Sequence, residues 1–210
     1  MKTNKEDFAQ MCELYRDWNG KINVVSRKDI DSLYEHHILH SLAIAEYLER
    51  RSPETFRQWS AGGVKVLDLG TGGGFPGIPL ASVFPGAEFT LCDSIGKKIK
   101  VATAVAEELG LQNVRCVNAR VETLDETFDW VVTRAVADLS ELYPWVRGKF
   151  RKGIICLKGG EINEEISRFL ARHFSSAPKQ RKAPVISTWP VKEWLDDPWY
   201  DGKFVVKIGV

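Results

Sequence analysis

Residues 64–69 (Val-Lys-Val-Leu-Asp-Leu) form an apolar, strand-like run that passes without a break into Gly70-Thr71-Gly72-Gly73-Gly74-Phe75-Pro76-Gly77. No other segment constrains the fold as tightly. Glycines at alternate positions 70, 72 and 74 supply positive φ and remove the Cβ atoms that would keep a ligand away from the backbone. A strand, such a loop and then a helix leave free N–H groups at a helix N-terminus, where nucleotide-like and anionic groups bind. Residues 72–77 also satisfy G-x-G-x-x-G, and Asp93 stands at the end of the next strand-like run, where an acid hydrogen-bonds ribose hydroxyls. The loop by itself leaves open which nucleotide is bound.

Beyond the loop, strand-like runs near 88–93, 114–117, 128–133 and 153–158 alternate with helix-like stretches near 76–84, 96–109, 138–148 and 161–173. That alternation predicts βαβ units and a parallel sheet. Residues 184–189 and 203–210 are strand-like with no helix between them, which predicts an antiparallel pair at the sheet edge. Ahead of the loop, Phe8, Met11, Leu14, Tyr15 and Trp18 recur at spacings of three and four, one face of a helix over 4–19 that ends at Asn19-Gly20. Ile30, Leu33, Ile38, Leu42, Ala45 and Leu48 mark a second helix, and residues 51–63, with a proline and a closing Gly62-Gly63, read as a connector.

The whole predicts an α/β fold in a single domain over 1–210, with an N-terminal helical extension (1–63) and a nucleotide-binding core (64–210). A Rossmann-like, seven-stranded, mostly parallel sheet with an antiparallel C-terminal pair is the layout of class I methyltransferases, which use S-adenosylmethionine. Asp68 immediately before the loop, Pro76 and Pro79 after it, and the lack of a second substrate domain favour that cofactor over a nicotinamide dinucleotide.

Composition narrows the setting. At 44% hydrophobic and 27% charged residues the chain is expected to be globular. It has neither an apolar run long enough to span a bilayer nor a signal-like start, so a cytoplasmic protein is expected. A net charge of +1 lacks the strong basic bias of many nucleic-acid binders. An RNA role then rests on local clusters (Lys97, Lys98, Lys100; Arg147, Lys149, Arg151, Lys152; Lys179, Arg181, Lys182) or on a partner much larger than naked RNA. Cys12, Cys92, Cys116 and Cys156 are scattered and read as reduced, packed thiols. His36 and His40 have metal-compatible spacing but no evident third ligand, so no metal site is expected.

Asp68–Leu80, Leu91-Cys-Asp-Ser-Ile-Gly-Lys-Lys98, Arg120-Val-Glu122, Thr133-Arg-Ala135 and Leu157-Lys-Gly-Gly160 follow one another in order. With Asn19-Gly-Lys-Ile-Asn-Val-Val-Ser26 and His37-Ile-Leu-His-Ser-Leu42, they resemble the bacterial small-subunit rRNA guanine-N7 methyltransferases, the RsmG or GidB family. The resemblance covers about 15–160. It implies transfer of a methyl group from S-adenosylmethionine to N7 of a guanine in the 530 loop of 16S rRNA; the modest net charge fits a substrate larger than naked RNA, the assembled small ribosomal subunit or a late precursor. It also implies cofactor contacts from Gly70, Gly72, Gly74, Phe75 and Asp93, an adenine frame from Val121 and Glu122, and Arg134 at the reactive end. One departure stands out: the family has His-Ile-Leu-Asp-Ser where this chain has His40 in place of the Asp.

Guanine N7 carries a lone pair and no proton, so its methylation needs alignment rather than a general base. The sequence fits: no base–nucleophile pair is evident, and Thr133-Arg134-Ala135-Val136 stands where amine methylases carry Asn-Pro-Pro-Tyr. Arg134, His37 and Lys158, the last at the carboxyl end of the fifth strand, are the candidate catalytic and positioning groups. Asn19, Lys21, Asn23 and Ser26 are candidates for the cofactor mouth, and Trp194 and Trp199 for exposed base-stacking surfaces. A monomer is expected. Competing readings are a small-molecule methyltransferase, a non-catalytic ribosome-assembly factor and, most distantly, a nicotinamide-dependent oxidoreductase.

Overall fold

The structure, a computed structural model, describes residues 4–175 and 183–209. Its centre is a seven-stranded sheet built from β1 (Lys65–Leu69), β2 (Glu88–Asp93), β3 (Val114–Asn118), β4 (Phe128–Arg134), β5 (Phe150–Gly159), β6 (Val185–Pro190) and β7 (Lys203–Gly209). The strand order is β3-β2-β1-β4-β5-β7-β6. The first five strands run parallel, and β7 lies antiparallel to both β5 and β6. The expected C-terminal antiparallel pair is present, with the later strand on the inside.

Helices α4 (Gly77–Val83), α5 (Gly96–Glu108), α6 (Leu139–Val146) and α7 (Ile162–Phe174) fill the crossovers. Side chains alternate across the sheet, as the two-residue period of a strand requires. On β4, Trp130 and Val132 enter one core while Val131 enters the other, and an irregularity between Phe128 and Trp130 brings Phe128 to the side of Val131; on β5, Ile155 and Leu157 oppose Ile154 and Cys156. The first core packs under α4, α5 and the N-terminal extension, the second under α6 and α7. Between β1 and β4 the chain changes direction of build, so the carboxyl ends of these strands open a crevice there.

The extension comprises α1 (Ala9–Lys21), a π-helical turn (Tyr34–Leu39) running into α2 (His40–Arg51), and α3 (Pro53–Ala61). Helix α1 continues through Asn19 and Gly20 before Ile22 N–H closes on the Trp18 carbonyl. The connector expected over 51–63 is instead mostly helix α3. Pro53 sits in the first turn, where its missing N–H costs nothing, and the polar residues that suggested a loop form the outer face. Its anchor is Trp59, fully buried and edge-on to Phe84 (5.2 Å) and Phe89 (5.8 Å). Among the described residues no helix is long and apolar enough to cross a membrane.

Trp59→Ala should therefore leave a cavity beneath α3 and lower unfolding stability by roughly 3–5 kcal/mol in urea titrations, whereas the exposed Arg57 replaced by Ala should shift it by less than about 0.5 kcal/mol.

Candidate active site

One carboxyl group holds the glycine loop from beneath. Asp68, fully buried at the end of β1, accepts hydrogen bonds through Oδ2 from Thr71 Oγ1 (2.6 Å) and the Gly77 N–H (2.8 Å). Burial pushes its pKa up to about 7, against these two bonds, which favour the charged form. A Cβ at Gly77 would lie 2.7 Å from that same oxygen, so the helix can begin there only with glycine in place. Asp93, at the end of β2, ties the loop from the side, accepting from Gly72 N–H (2.9 Å) and Ile95 N–H (2.8 Å).

Above the loop lies a cavity of about 560 Å³. Gly70, Gly72 and Phe75 line it with Asp93, Val121, Glu122 and Arg134. Gly70 (φ +63°) and Gly72 (φ +59°) are left-handed; a Cβ on Gly70 would meet Val136 Cγ2 at 2.6 Å, whereas one on Gly72 would point into open space. Gly74 is not part of this lining. Its missing Cβ makes room for Ile78 and the Tyr15 hydroxyl, at 2.5 and 2.7 Å, so the third glycine serves packing under the loop. Tyr15 in turn donates to the Gly73 carbonyl (2.8 Å). From the extension it is Val24 that reaches the cavity, rather than Asn19, Lys21, Asn23 or Ser26. Asn19 is turned inward, its Oδ1 accepting from Val24 and Val25 N–H and so shaping the turn that presents Val24.

Arg134, at the end of β4, borders this cavity and a second one of about 480 Å³. Its guanidinium lies 5.0 Å from the Phe75 ring centre and donates to His37 Nδ1 at 2.9 Å. His37 Nε2 is 3.2 Å from Asp29 Oδ2, and His36 Nδ1 is 2.6 Å from Asp29 Oδ1. A guanidinium only donates, so Nδ1 of His37 is the acceptor and Nε2 carries the proton toward Asp29. Burial, helped by the adjacent Arg134 charge, lowers the His37 pKa to about 4, and burial lowers that of Arg134 to about 10. Near neutral pH His37 is an uncharged spacer between Asp29 and Arg134. No local signal marks Asp29, which lies in an irregular stretch eight residues before its partner. After Arg134 the chain turns sharply through Ala135, whose φ of +51° costs a non-glycine residue roughly 1–2 kcal/mol.

The second cavity is walled by Arg134–Asp138, by Lys158 at the end of β5, by Glu165 on α7, and by His40 and Lys203. Lys158 and Glu165 form an ion pair of 2.7 Å whose side chains are 8% and 13% exposed. Trp199 is not an exposed stacking platform: His36 lies flat on it at 4.0 Å and Lys203 Nζ sits 3.7 Å from its centre. Trp194 also packs on the core. Of the basic clusters, Lys98 lines the first cavity, Lys149 is tied to the Leu124 carbonyl and Lys152 to Gln58. Lys179, Arg181 and Lys182 lie outside the described residues. No group of three or more metal-binding side chains occurs among the described residues.

Over residues 4–188 the sequence matches the model of the GidB family, rRNA small subunit methyltransferase G. The chain belongs to that family. The methyltransferase G of Porphyromonas gingivalis strain W83 is 50% identical over 198 residues, covering 90% of this chain and 80% of that one. The methyltransferase G of Flavobacterium psychrophilum is 43% identical over 209 residues, 96% and 88% of the two chains. Solved structures agree on the fold. A magnesium protoporphyrin IX methyltransferase from Synechocystis PCC 6803 with bound S-adenosylmethionine superposes with a TM-score of 0.66 at 15% identity, covering 97% of this chain and 93% of that one. A precorrin-6y C5,15-methyltransferase from Geobacter metallireducens GS-15 gives 0.52 at 11% identity, with 90% and 91% covered.

As a methyltransferase G, this enzyme takes S-adenosylmethionine as its methyl donor, and the first cavity fits that cofactor. Its volume falls within the usual range for small-molecule sites. The space beside Gly72 is what a ligand lying close to the backbone requires, and the Asp93 carboxylate has lone pairs beyond the two used by the loop.

Two outcomes test this geometry. Gly70→Ala combines the left-handed φ with a clash against Val136 and should weaken cofactor binding by at least about tenfold in calorimetric titration. The depressed His37 pKa means that the unfolded chain binds the extra proton between pH 6.5 and 4, so His37 favours folding above 6.5 and progressively less as pH falls toward 4. Over that window the unfolding free energy of the native protein should drop by about 3 kcal/mol more than that of His37→Gln.

Proposed function

We propose that this enzyme transfers the methyl group of S-adenosylmethionine to N7 of a guanine in the 530 loop of 16S rRNA, in line and without a general base. The observation carrying the proposal is the state of His37. It is the histidine hydrogen-bonded to Arg134, where the two cavities meet, and both its ring nitrogens are engaged while burial keeps it uncharged. Asp68, whose pKa lies near neutrality, is sealed beneath the loop, and Glu165 is held by Lys158.

Such a site suits a nucleophile with no proton to lose. The guanine N7 lone pair bonds to the methyl carbon as the methyl–sulfur bond breaks; the sulfonium charge is lost and the base becomes cationic, with no proton released. This chain's residues then act by placement. Gly70, Gly72, Phe75 and Asp93 would seat the cofactor, with Val121 and Glu122 at its adenine end. Arg134, fixed through His37 and Asp29, stands where the two cavities meet and sets the approach of one bound group to the other. The substrate we favour is the assembled small subunit or a late precursor, because a net charge of +1 supplies little general attraction to bare RNA. A monomer suffices, since both cavities are formed within one chain.

Incubating the enzyme with labelled S-adenosylmethionine and small subunits lacking N7-methylguanosine should yield that nucleoside at one site in the 530 loop. At saturating substrates the rate should vary by less than about threefold between pH 6.5 and 8.5. Methylation of free metabolites instead, or subunit binding without transfer, would replace this reading with the small-molecule or non-catalytic one. A steep single-group pH dependence would overturn the base-free mechanism.

A further inference from the structure

The second cavity holds bonding capacity that the fold does not use. Lys158 has three N–H donors and spends two, on the Ala137 carbonyl and on Glu165. Glu165 accepts from Lys158 and from Leu139 N–H (2.7 Å) through the same oxygen, Oε1. His40, on the same wall and 7% exposed, has an Nε2 with no hydrogen-bond partner. A mainly structural ion pair has little need of a cavity of about 480 Å³ beside it, one that shares Arg134, Ala135 and Val136 as wall residues with the cofactor site.

We infer that the Lys158–Glu165 pair reads the far edge of the target base and makes the second cavity selective for guanine, an inference that rests on the methyl-transfer reading above. A base presenting N7 toward the cofactor keeps O6 beside N7 and carries N1–H and N2–H₂ onward along the Watson–Crick edge, away from the cofactor. Those groups run acceptor, donor, donor. The pair offers the complement in the same order: the remaining Lys158 N–H for O6, and the unused Glu165 oxygen for N1–H and N2–H₂. Adenine in the same place would set its amino group against the ammonium and its N1 lone pair against the carboxylate. Both contacts would then be like against like, in a site too dry to screen them, and buried groups left unpaired are what make such sites selective. Lys158 is thereby a substrate-reading group that moves no proton.

The test pairs a base change with a side-chain change. Small subunits are reconstituted on 16S rRNA carrying guanosine or inosine at the target; inosine keeps O6 and N1–H and lacks the 2-amino group. The native enzyme should lose about tenfold to a hundredfold in kcat/KM on inosine. Glu165→Gln should lose a similar factor on guanosine and discriminate guanosine from inosine by less than about twofold. Its affinity for S-adenosylmethionine, measured by calorimetry, should match the native value and reports that the variant is folded. Glu165→Asp, which keeps the carboxylate, should retain part of the preference if Glu165→Gln proves unstable. Equal losses on guanosine and inosine in both variants would make the pair a structural support and overturn the inference. Absence of transfer by the native enzyme to the guanosine subunits would instead overturn the reaction, and the reading of this site with it.

Discussion

The hydrogen bonds of Asp68 are the constraint on which the remainder of the site depends. A loop with left-handed residues at Gly70 and Gly72 has many alternative paths, and the chain gains no packing from glycine side chains to choose among them. The Asp68 carboxyl chooses by joining Thr71 at the start of the loop to Gly77 at the first turn of α4. Because it is fully buried, water cannot substitute for either partner, so departure of the loop from this path would strand a polar group in the core. Asp93 then adds a lateral tie, and between them the two acids turn a flexible sequence into a fixed rim for the cofactor.

The N-terminal extension completes what the sheet begins. Tyr15 reaches from α1 to the Gly73 carbonyl, Val24 fills the space a Cβ on Gly73 would need, and Asp29 fixes Arg134 through His37. Three separate points of the extension therefore bear on one loop and one strand end. The uncharged state of His37 belongs to this arrangement. A proton there would be buried and would face Arg134 at 2.9 Å, and the low pKa records the burial first and the facing charge second.

The strands and crossover helices were legible because their periods are strong and their ends are marked by glycine, and the cofactor loop because its residue types have few other uses. Helix α3 was hidden by its own composition: Pro53, Glu54, Arg57 and Gln58 resemble a linker, and Trp59, with Phe56 and Thr55 beside it, turns that stretch into a packed element. Position 74 fits a glycine-spacing motif, but its purpose, clearance for Ile78 and Tyr15, depends on a helix more than fifty residues earlier in the chain. Asp29 was invisible for the same reason. Nothing local distinguishes it from Asp31, and only the fold brings it to His36 and His37. Trp199 misled in the opposite direction, since its aromatic surface is already covered by His36 and Lys203.

The placement of β7 inside β6 has a consequence for how the chain is made. Synthesis proceeds from the N-terminus, so β5 is complete while its neighbour in the sheet is still to be translated. Throughout that interval one whole side of β5, later paired from Gly153 to Gly159, presents unpaired backbone groups, and β6 emerges with no strand to join. An open strand edge of this kind is a template for pairing with a neighbouring chain. The last of these seven strands to leave the ribosome is thus the one that closes the sheet, and a nascent chain stalled in the 190s would carry a nearly finished nucleotide fold with an adhesive flank.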